Sequence, residues 1–437
     1  MILAKILLSL LFVSLFSVVA EAAPASLSLD SHSVILVEHT TGRVLYSRNE
    51  RERISPANLT KMVTAMVALD FLDVDDIIVV GSEIRNMPAG FTTNAVSEGE
   101  TTVRELLHAL IVRSSGEAAR VLAINTLRQR DGRFNITLDQ ANQGFSAIMN
   151  ERARSLGTTG TSFNNTFGQH FENHFSTAYD LAIITRAFME NPILAEIAAT
   201  REHGNWTNTN QMLPDAPHGH PYIIGAKAGS NTASGHMLAA AAYDDGLQLV
   251  AVVVGGTDAH RWQDTRRLMD FGFNNFRFRE IAVEGDLIQT VQIENPRLGD
   301  KNTLEIVLGA GSTPLLSRAE YAALTHTITF DPLIYVESEE GTSLRAPIEE
   351  GMAVGTVSYV ADGRVIFESP VLAARLVEER TFDSDMDYHL AAFFGSVFTR
   401  RALPYWVGII GVLIGVIGII SAIRANRITR NSGRYRF

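Results

Sequence analysis

Hydrophobic residues in the first 275 positions are spaced with two different periods, which predicts a mixture of strands and helices. Residues 33–38 and 43–46 flank a Thr-Gly turn and predict a β-hairpin, and residues 235–243 and 247–254 flank an Asp-Asp-Gly turn and predict a second, buried hairpin. Helical spacing is found around Lys61, at 103–112, 118–124 and 145–156, in a helix capped near Ser176 that ends at Met189, and at 261–273. We therefore expect a mixed α/β domain over residues 27–275, with the N-terminal hairpin beside the C-terminal strands.

Helical periodicity disappears between residues 276 and 376. Short β-rich runs at 290–293, 303–308 and 327–330 alternate there with Gly, Asp and Asn turns. This pattern predicts a small all-β sandwich or barrel over residues 276–376. Residues 377–403 are partly amphipathic and predict a linker.

The N-terminus has the pattern of a secretory signal. Lys5 is followed by an almost wholly apolar run, residues 6–20, and then by the small-x-small sequence Ala20-Glu21-Ala22. We expect residues 1–22 to be a cleaved signal peptide; the alternative is an uncleaved anchor.

A second apolar segment, residues 404–423, contains no charge and is long enough to span a bilayer. The tail at 424–437 carries five arginines and no acid, so the positive-inside rule places the tail in the cytoplasm and the preceding body outside the membrane. Gly408, Gly411, Gly415 and Gly418 lie on one face of this helix. They predict homodimerisation through close helix approach, unless glycine is simply common in such helices.

The amino-acid composition argues against several classes of function. The net charge of −11 argues against a nucleic-acid partner, and the absence of cysteine excludes thiol chemistry and disulfides. His218-Gly219-His220 has the spacing of a metal clip, but two histidines in a Pro-containing loop are more simply polar surface. We expect neither a metal nor another cofactor.

Several short motifs are spread over nearly all of residues 27–376. They are Pro56-Ala57-x-Leu59-Thr60-Lys61, Gly99-Glu100-Thr101, Met149-Asn150-Glu151-Arg152-Ala153, His174-x-Ser176-Thr177-Ala178-x-Asp180, Gly225-x-Lys227-x-Gly229 and, in the β-rich part, Leu344-Arg345-Ala346-Pro347. This set resembles the serine-type D-alanyl-D-alanine carboxypeptidases, the low-molecular-mass penicillin-binding proteins of the peptidase S11 type. The resemblance implies an α/β (α+β) transpeptidase domain like those of penicillin-binding proteins and β-lactamases, followed by a small all-β domain and a C-terminal transmembrane helix.

The first motif of the family is Ser-x-x-Lys, in which the serine is the nucleophile and the lysine its base. Lys61 matches the lysine, but Asn58 stands at the nucleophile position. A carboxamide has no proton worth removing and cannot replace the hydroxyl. The alternative is that a nearby hydroxyl, Ser55 or Thr60, acts instead.

The second family motif is Ser-x-Asn, between two helices. Matching without gaps places Ser114 at the serine and Gly116 at the asparagine, so the amide that would hold the substrate is absent. A competing placement over Ser115, Gly116 and Glu117 needs an insertion and a deletion. Ser114 is equally well interpreted as an ordinary polar loop residue.

The third family motif, Lys-Thr-Gly on a strand beside the site, is Lys227-Ala228-Gly229 in this chain. The resemblance implies that these residues and Gly116 contact substrate. Lys227 keeps the ammonium that would attract the substrate carboxylate, whereas Ala228 has lost the hydroxyl that would bind it. Each motif thus lacks one polar group while both lysines remain.

The family acts on peptidoglycan stem peptides that end in D-Ala-D-Ala. We expect this chain to be a catalytically inactive or severely impaired member of it, which binds such stem peptides or a cell-wall protein. The alternative is an active D-Ala-D-Ala carboxypeptidase with an unusual nucleophile. Acylation by penicillin separates the two hypotheses.

Overall fold

The structure is a computed structural model that describes residues 27–88, 94–338, 341–397, 399 and 403–432. The predicted signal peptide, residues 1–22, lies outside these ranges. The chain forms two compact units. One extends to Phe278 and also includes Leu315–Ala319; the other comprises Arg279–Pro314 and the chain from Glu320 onward.

The described strands and helices are numbered in chain order. The strands are β1 (Ser33–Glu38), β2 (Val44–Arg48), β3 (Ile77–Val80), β4 (Gly99–Thr102), β5 (Glu202–His203), β6 (Trp206–Thr207), β7 (Ile223–Asn231), β8 (Gly235–Asp244), β9 (Leu247–Gly256), β10 (Phe276–Phe278), β11 (Leu287–Glu294), β12 (Thr303–Leu308), β13 (Leu315–Ser317), β14 (Thr325–Phe330), β15 (Tyr335–Ser338), β16 (Gly341–Arg345), β17 (Ala353–Ala361) and β18 (Arg364–Ala373). The helices are α1 (Thr60–Leu69), α2 (Val103–Ile111), α3 (Gly116–Asp131), α4 (Leu138–Ser155), α5 (Ala178–Glu190), α6 (Pro192–Ala199), α7 (Asp258–Asn275), α8 (Arg318–Ala322), α9 (Phe382–Val397) and α10 (Leu403–Ser432).

The first unit is built on an antiparallel sheet with the strand order β2-β1-β9-β8-β7. The N-terminal hairpin therefore lies beside the C-terminal strands, as the hydrophobic pattern predicted. Both faces of this sheet are covered. In β8, Ala239 and Ala241 belong to the core on the side of α1–α6, whereas Leu238 and Ala240 belong to the core on the side of α7. Burial on both faces explains why β8 and β9 are almost continuously apolar.

Two helices begin before the apolar periodicity does. α4 starts at Leu138 because Thr137 and Gln140 form a capping box, and its first turn is exposed. α7 starts at Asp258 because Thr257 and His260 form a second capping box. The expected starts, residues 145 and 261, are therefore too late; the first buried residues of the two helices are Ala141 and Trp262.

The second unit contains a sheet with the strand order β14-β17-β18-β12-β11-β16-β15. Its core includes Leu304, Ile306, Val357 and Val371, and α9 and α10 follow the last strand of this sheet. This confirms the predicted all-β domain. The linker predicted at 377–403 contains α9.

Among the described residues, one helix is long and apolar enough to cross a membrane. The span is Leu403–Arg424, within α10, and its 22 residues agree with the segment predicted at 404–423. α10 continues to Ser432, so the first part of the basic tail is helical. The domain limits read from the sequence stay predictions.

Candidate active site

The site begins at a short turn that leads into α1. Pro56 precedes a 3₁₀ turn, Ala57–Leu59, which continues directly into α1 and leaves Asn58 half-buried at its start. Gly168 packs against this turn so closely that a Cβ there would lie 1.9 Å from the Ala57 carbonyl oxygen. Only glycine permits that approach, and its φ of +94° is also one that side chains disfavour.

Lys61 follows Asn58 by three residues, so both side chains project from the same face of the chain. The Lys61 ammonium donates to Asn58 Oδ1 at 2.7 Å, to the Ser114 carbonyl oxygen at 2.7 Å and to Ser114 Oγ at 3.2 Å. The side chain is completely buried. Burial, with a smaller contribution from Lys227, lowers the pKa of Lys61 well below its ordinary value.

Ser114 ends the loop between α2 and α3 in a left-handed conformation, with φ of +64°. This turn directs both its carbonyl and its hydroxyl toward Lys61. The next residue, Ser115, uses its hydroxyl to cap α3 by accepting from the Ala118 N–H at 3.1 Å. Gly116 is the buried first residue of α3. The geometry favours the gapless placement of the second motif, because Ser114 and not Ser115 reaches the lysine.

Lys227 lies on β7 and is also completely buried. Its ammonium donates to Thr209 Oγ1 at 2.8 Å and to the Ala228 carbonyl oxygen at 3.1 Å. Burial and the nearby Arg261 guanidinium lower its pKa to about 7. The charged neighbour that contributes to this pKa is the Arg261 guanidinium, which is itself ion-paired with Asp258.

The other two residues of the third motif face different surroundings. A Cβ at Gly229 would lie 3.3 Å from the Asn58 backbone nitrogen, so β7 passes directly beside the start of α1. The Ala228 methyl group belongs instead to the α7-side core, with Leu238 and Trp262. The structure thus brings Asn58 and Gly229 together but buries Ala228 on the opposite side.

Two neighbours of Lys227 were not found from the sequence. Arg261, in the first turn of α7, donates to the Gly229 carbonyl oxygen at 3.1 Å and lies over the Trp262 ring at 4.1 Å. Thr209 accepts from Lys227, and its N–H donates to the Val112 carbonyl oxygen at 3.1 Å. Neither belongs to a motif, since an arginine at a helix start and a threonine in a loop are both ordinary.

The two candidate replacement nucleophiles have other partners. Ser55 Oγ accepts from Asn231 Nδ2 at 2.8 Å. Thr60 is completely buried, with its hydroxyl 2.9 Å from His174 Nε2. Because His174 Nδ1 accepts from the Asn164 N–H at 3.0 Å, Nε2 carries the ring proton and donates it to Thr60. That direction leaves Thr60 as an acceptor and not as an activated nucleophile.

The two imidazoles of the His218-Gly219-His220 sequence have separate interactions. His218 stacks on Trp262 with a centroid distance of 5.4 Å, and His220 Nε2 lies 3.2 Å from an oxygen of Asp270. In the part of the chain that the structure describes, no group of three or more histidine and carboxylate side chains is placed to hold a metal ion.

A helix that carries a lysine one turn from its start, packed beside a strand that carries a second lysine, defines a penicillin-binding, transpeptidase-like class of protein. A family model described as D-alanyl-D-alanine carboxypeptidase matches residues 18–258, and one described as Penicillin-binding protein 5, C-terminal domain, matches residues 276–379. The first match covers more than half of the chain, which therefore belongs to the D-alanyl-D-alanine carboxypeptidase family, peptidase S11.

Known relatives extend over both units. The chain is 27% identical over 418 residues to the D-alanyl-D-alanine carboxypeptidase DacC of Escherichia coli, covering 91% of this chain and 95% of the relative. It is 25% identical over 378 residues to DacF of Bacillus subtilis, covering 82% and 88%.

Among solved structures, penicillin-binding protein 5 of Haemophilus influenzae matches with a TM-score of 0.58 at 23% identity, covering 81% of this chain and 99% of that one. Penicillin-binding protein 6B of Escherichia coli matches with a TM-score of 0.58 at 24% identity, covering 80% and 97%. At these identities the two structures establish the fold.

Proposed function

We propose that this chain binds the D-Ala-D-Ala end of peptidoglycan stem peptides and does not cleave them. The observation that carries the proposal is the 2.7 Å hydrogen bond from Lys61 to Asn58 Oδ1. In a working enzyme of this family the lysine would face a hydroxyl that it deprotonates. Here it faces an amide oxygen, which accepts a hydrogen bond and has no proton to give.

The surroundings of Lys61 support loss of turnover. Its nitrogen donates to Asn58 Oδ1 and to two oxygens of Ser114, which hold it beside an amide oxygen that has no proton to remove. Removing the nucleophile from a group of residues that act together costs on the order of 10⁶ in rate, by the subtilisin precedent.

The strand side of the site supports retained binding. Lys227 and Arg261 both adjoin Gly229, and the pKa of Lys227 is lowered by burial and by that second cation. A carboxylate placed there would relieve the repulsion between the two cations and form charge-assisted hydrogen bonds. The free end of a stem peptide is such a carboxylate.

The competing function is an active carboxypeptidase that uses a different hydroxyl. Ser55 and Thr60 are the sequence candidates, and the structure pairs them with Asn231 and His174. This function would require both partners to move away.

The proposal is tested by calorimetric titration of the full chain with an N-acylated tripeptide that ends in D-Ala-D-Ala. The matched control ligand is the same peptide with a C-terminal amide, which lacks the carboxylate. We expect saturable binding of the acid, weaker binding of the amide, and no release of D-alanine over hours. Equal binding of both ligands, or sustained release of D-alanine, would contradict the proposal.

We further propose that the body lies in the periplasm and that Leu403–Arg424 spans the inner membrane, with the tail in the cytoplasm. The charge asymmetry around the span supports this orientation. Protease added to intact spheroplasts should degrade the body and spare a C-terminal tag; protection of the body would reverse the orientation.

A further inference from the structure

The first unit contains a pocket of about 200 Å³ between α3, α4 and the segment 164–171. The pocket is apolar where Ala123, Ile124 and Phe167 line it, and Phe171 stands at its side with 44% of its surface exposed. None of the three family motifs includes a residue of its lining.

Primary amides line the polar part of this pocket. Within the described residues, the side-chain amides of Asn164 and Gln169 have no hydrogen-bond partner, and Asn142 uses its Nδ2 on the Asn164 carbonyl oxygen while its Oδ1 has none. Each amide offers both donors and acceptors. The lining contains the cation Arg120, which interacts with Glu117 and the Phe167 ring, and the carboxylate Asp139, so its formal charges sum to zero. The lining therefore suits a neutral ligand with many hydrogen-bonding groups and one apolar face.

The pocket shares a wall with the candidate active site. Gly168 packs on the Ala57 backbone beside Asn58, and its neighbours Phe167 and Gln169 line the pocket. A ligand in the pocket and a peptide beside Asn58 would thus lie on either side of one short segment. Two parts of a single covalent ligand could occupy both places.

We propose that this pocket binds one N-acetylated hexosamine ring of a glycan strand. The proposal deepens the proposed function, on which it rests for the identity of the strand as the one that bears the stem peptide. The C–H face of the pyranose ring would pack on Phe171, and its hydroxyl and acetamido groups would pair with the amides of Asn164 and Gln169. A ligand with a net charge would leave that charge unmatched, and a purely apolar ligand would bury the amides without partners.

The test titrates the full chain, held in a sugar-free zwitterionic detergent, with the β-1,4-linked tetramer of N-acetylglucosamine, and follows binding by saturation-transfer NMR and calorimetry. We expect saturable binding by the wild type and a weakening of about fivefold or more for both Phe171→Ala and Gln169→Leu. Phe134→Ala is the matched control, since Phe134 is 79% exposed and is not part of the lining. Absence of saturable binding by the wild type, or equal weakening by Phe134→Ala, would overturn the inference.

The same preparation separates this inference from the function on which it rests. Phe171→Ala should leave binding of the sugar-free D-Ala-D-Ala tripeptide unchanged, and Lys227→Met should leave binding of the tetramer unchanged. If the tripeptide binds and the tetramer does not, the pocket proposal fails alone. If the tetramer binds through Phe171 and the tripeptide does not bind, the proposed function fails and the saccharide site stands.

Discussion

The two sides of the candidate site have diverged in different ways. On the helical side, the proposed function assigns Asn58 to the nucleophile position, and the Lys61 ammonium donates to Asn58 and Ser114. On the strand side, Lys227 lies next to Arg261, and its pKa is lowered to about 7. The difference leads us to propose that catalysis and recognition in this fold depend on separate groups, so that one can be lost while the other is kept.

Electrostatic interactions link Lys61, on the helical side of the site, with Lys227, on the strand side. The pKa of Lys61 is lowered by burial and by Lys227, and that of Lys227 by burial and by Arg261. In both cases the neighbouring charge is another cation. Arg261 is ion-paired with Asp258, whereas the pKa of Lys227 is lowered by burial and by Arg261, so an anion that reaches Lys227 would favour its charged form.

The largest expected effect tests the strand side. Lys227→Met should weaken binding of the D-Ala-D-Ala tripeptide roughly 30- to 1,000-fold, because it removes one member of a buried, charge-assisted pair. Calorimetry measures the loss, and Lys301→Met, at an exposed lysine, serves as the matched control. Unchanged affinity in Lys227→Met would show that the strand side does not bind the carboxylate.

The helical side is tested by attempting to repair it. Asn58→Ser should restore at most slow acylation by penicillin, because two positioning groups are still missing. Adding Gly116→Asn should raise the rate by roughly 5- to 150-fold, the effect of one regained contact, whereas Ala228→Thr should add little, because that side chain lies in the α7-side core. The acylation rate is followed by intact-protein mass.

The three positions that are substituted in this test differ in how well the surrounding structure tolerates a larger side chain. The Ala228 methyl group lies in the α7-side core, so each variant is first compared with the wild type for its thermal unfolding midpoint. Full family-like activity in Asn58→Ser alone would contradict the claim that the defect extends beyond position 58.

A smaller effect is expected from pH. The unfolded chain holds the Lys227 proton up to pH about 10.5, whereas the folded chain releases it at about 7. Stability should therefore rise with pH across this window, while binding of the carboxylate peptide should weaken by up to about tenfold per pH unit, with uptake of a proton. Calorimetry in buffers of different ionisation enthalpy measures the proton uptake, and Lys227→Met should abolish it. Tighter binding of the carboxylate peptide at higher pH would contradict the assignment of Lys227 as the group that takes up the proton.

The smallest expected effect concerns the membrane helix. It tests whether two copies of the chain associate through α10, outside the candidate site. Gly408, Gly411, Gly415 and Gly418 are exposed, and a Cβ at each would meet no atom within 4 Å. Gly411→Ile with Gly415→Ile should lower a dimer signal in a membrane two-hybrid assay a few-fold, because close backbone approach would be lost. Ile414→Val on the same helix is the control, and an unchanged signal would leave the glycines without a role in pairing.

The sheet, the helices and part of the site could be predicted from the sequence because each depends on local spacing. The apolar runs of β8 and β9 predicted a buried hairpin, and the resemblance assigned Asn58 and Lys61 to one motif, in which the structure places them in contact. Arg261 could not be predicted, because nothing local distinguishes an arginine near the start of a helix.

The orientation of the Ala228 side chain could not be predicted from the sequence, for a different physical reason. Strand alternation predicts that Ala226 and Ala228 share a face, but the structure places them in the two opposite cores. Ala226 has φ of +94°, and the pairing of β7 with β8 is irregular just before it. Irregular strand geometry of this kind leaves no trace in the hydrophobic pattern.

The central claim is tested most directly by the mass of the unmodified protein after incubation with penicillin, beside a serine-type penicillin-binding enzyme treated in the same way. The account predicts that the mass of this chain does not change while the enzyme gains one adduct, because Asn58 cannot form the ester and the hydroxyls of Ser55 and Thr60 are engaged elsewhere. A stoichiometric adduct on the wild-type chain, mapped to Ser55, Thr60 or Ser114, would contradict it.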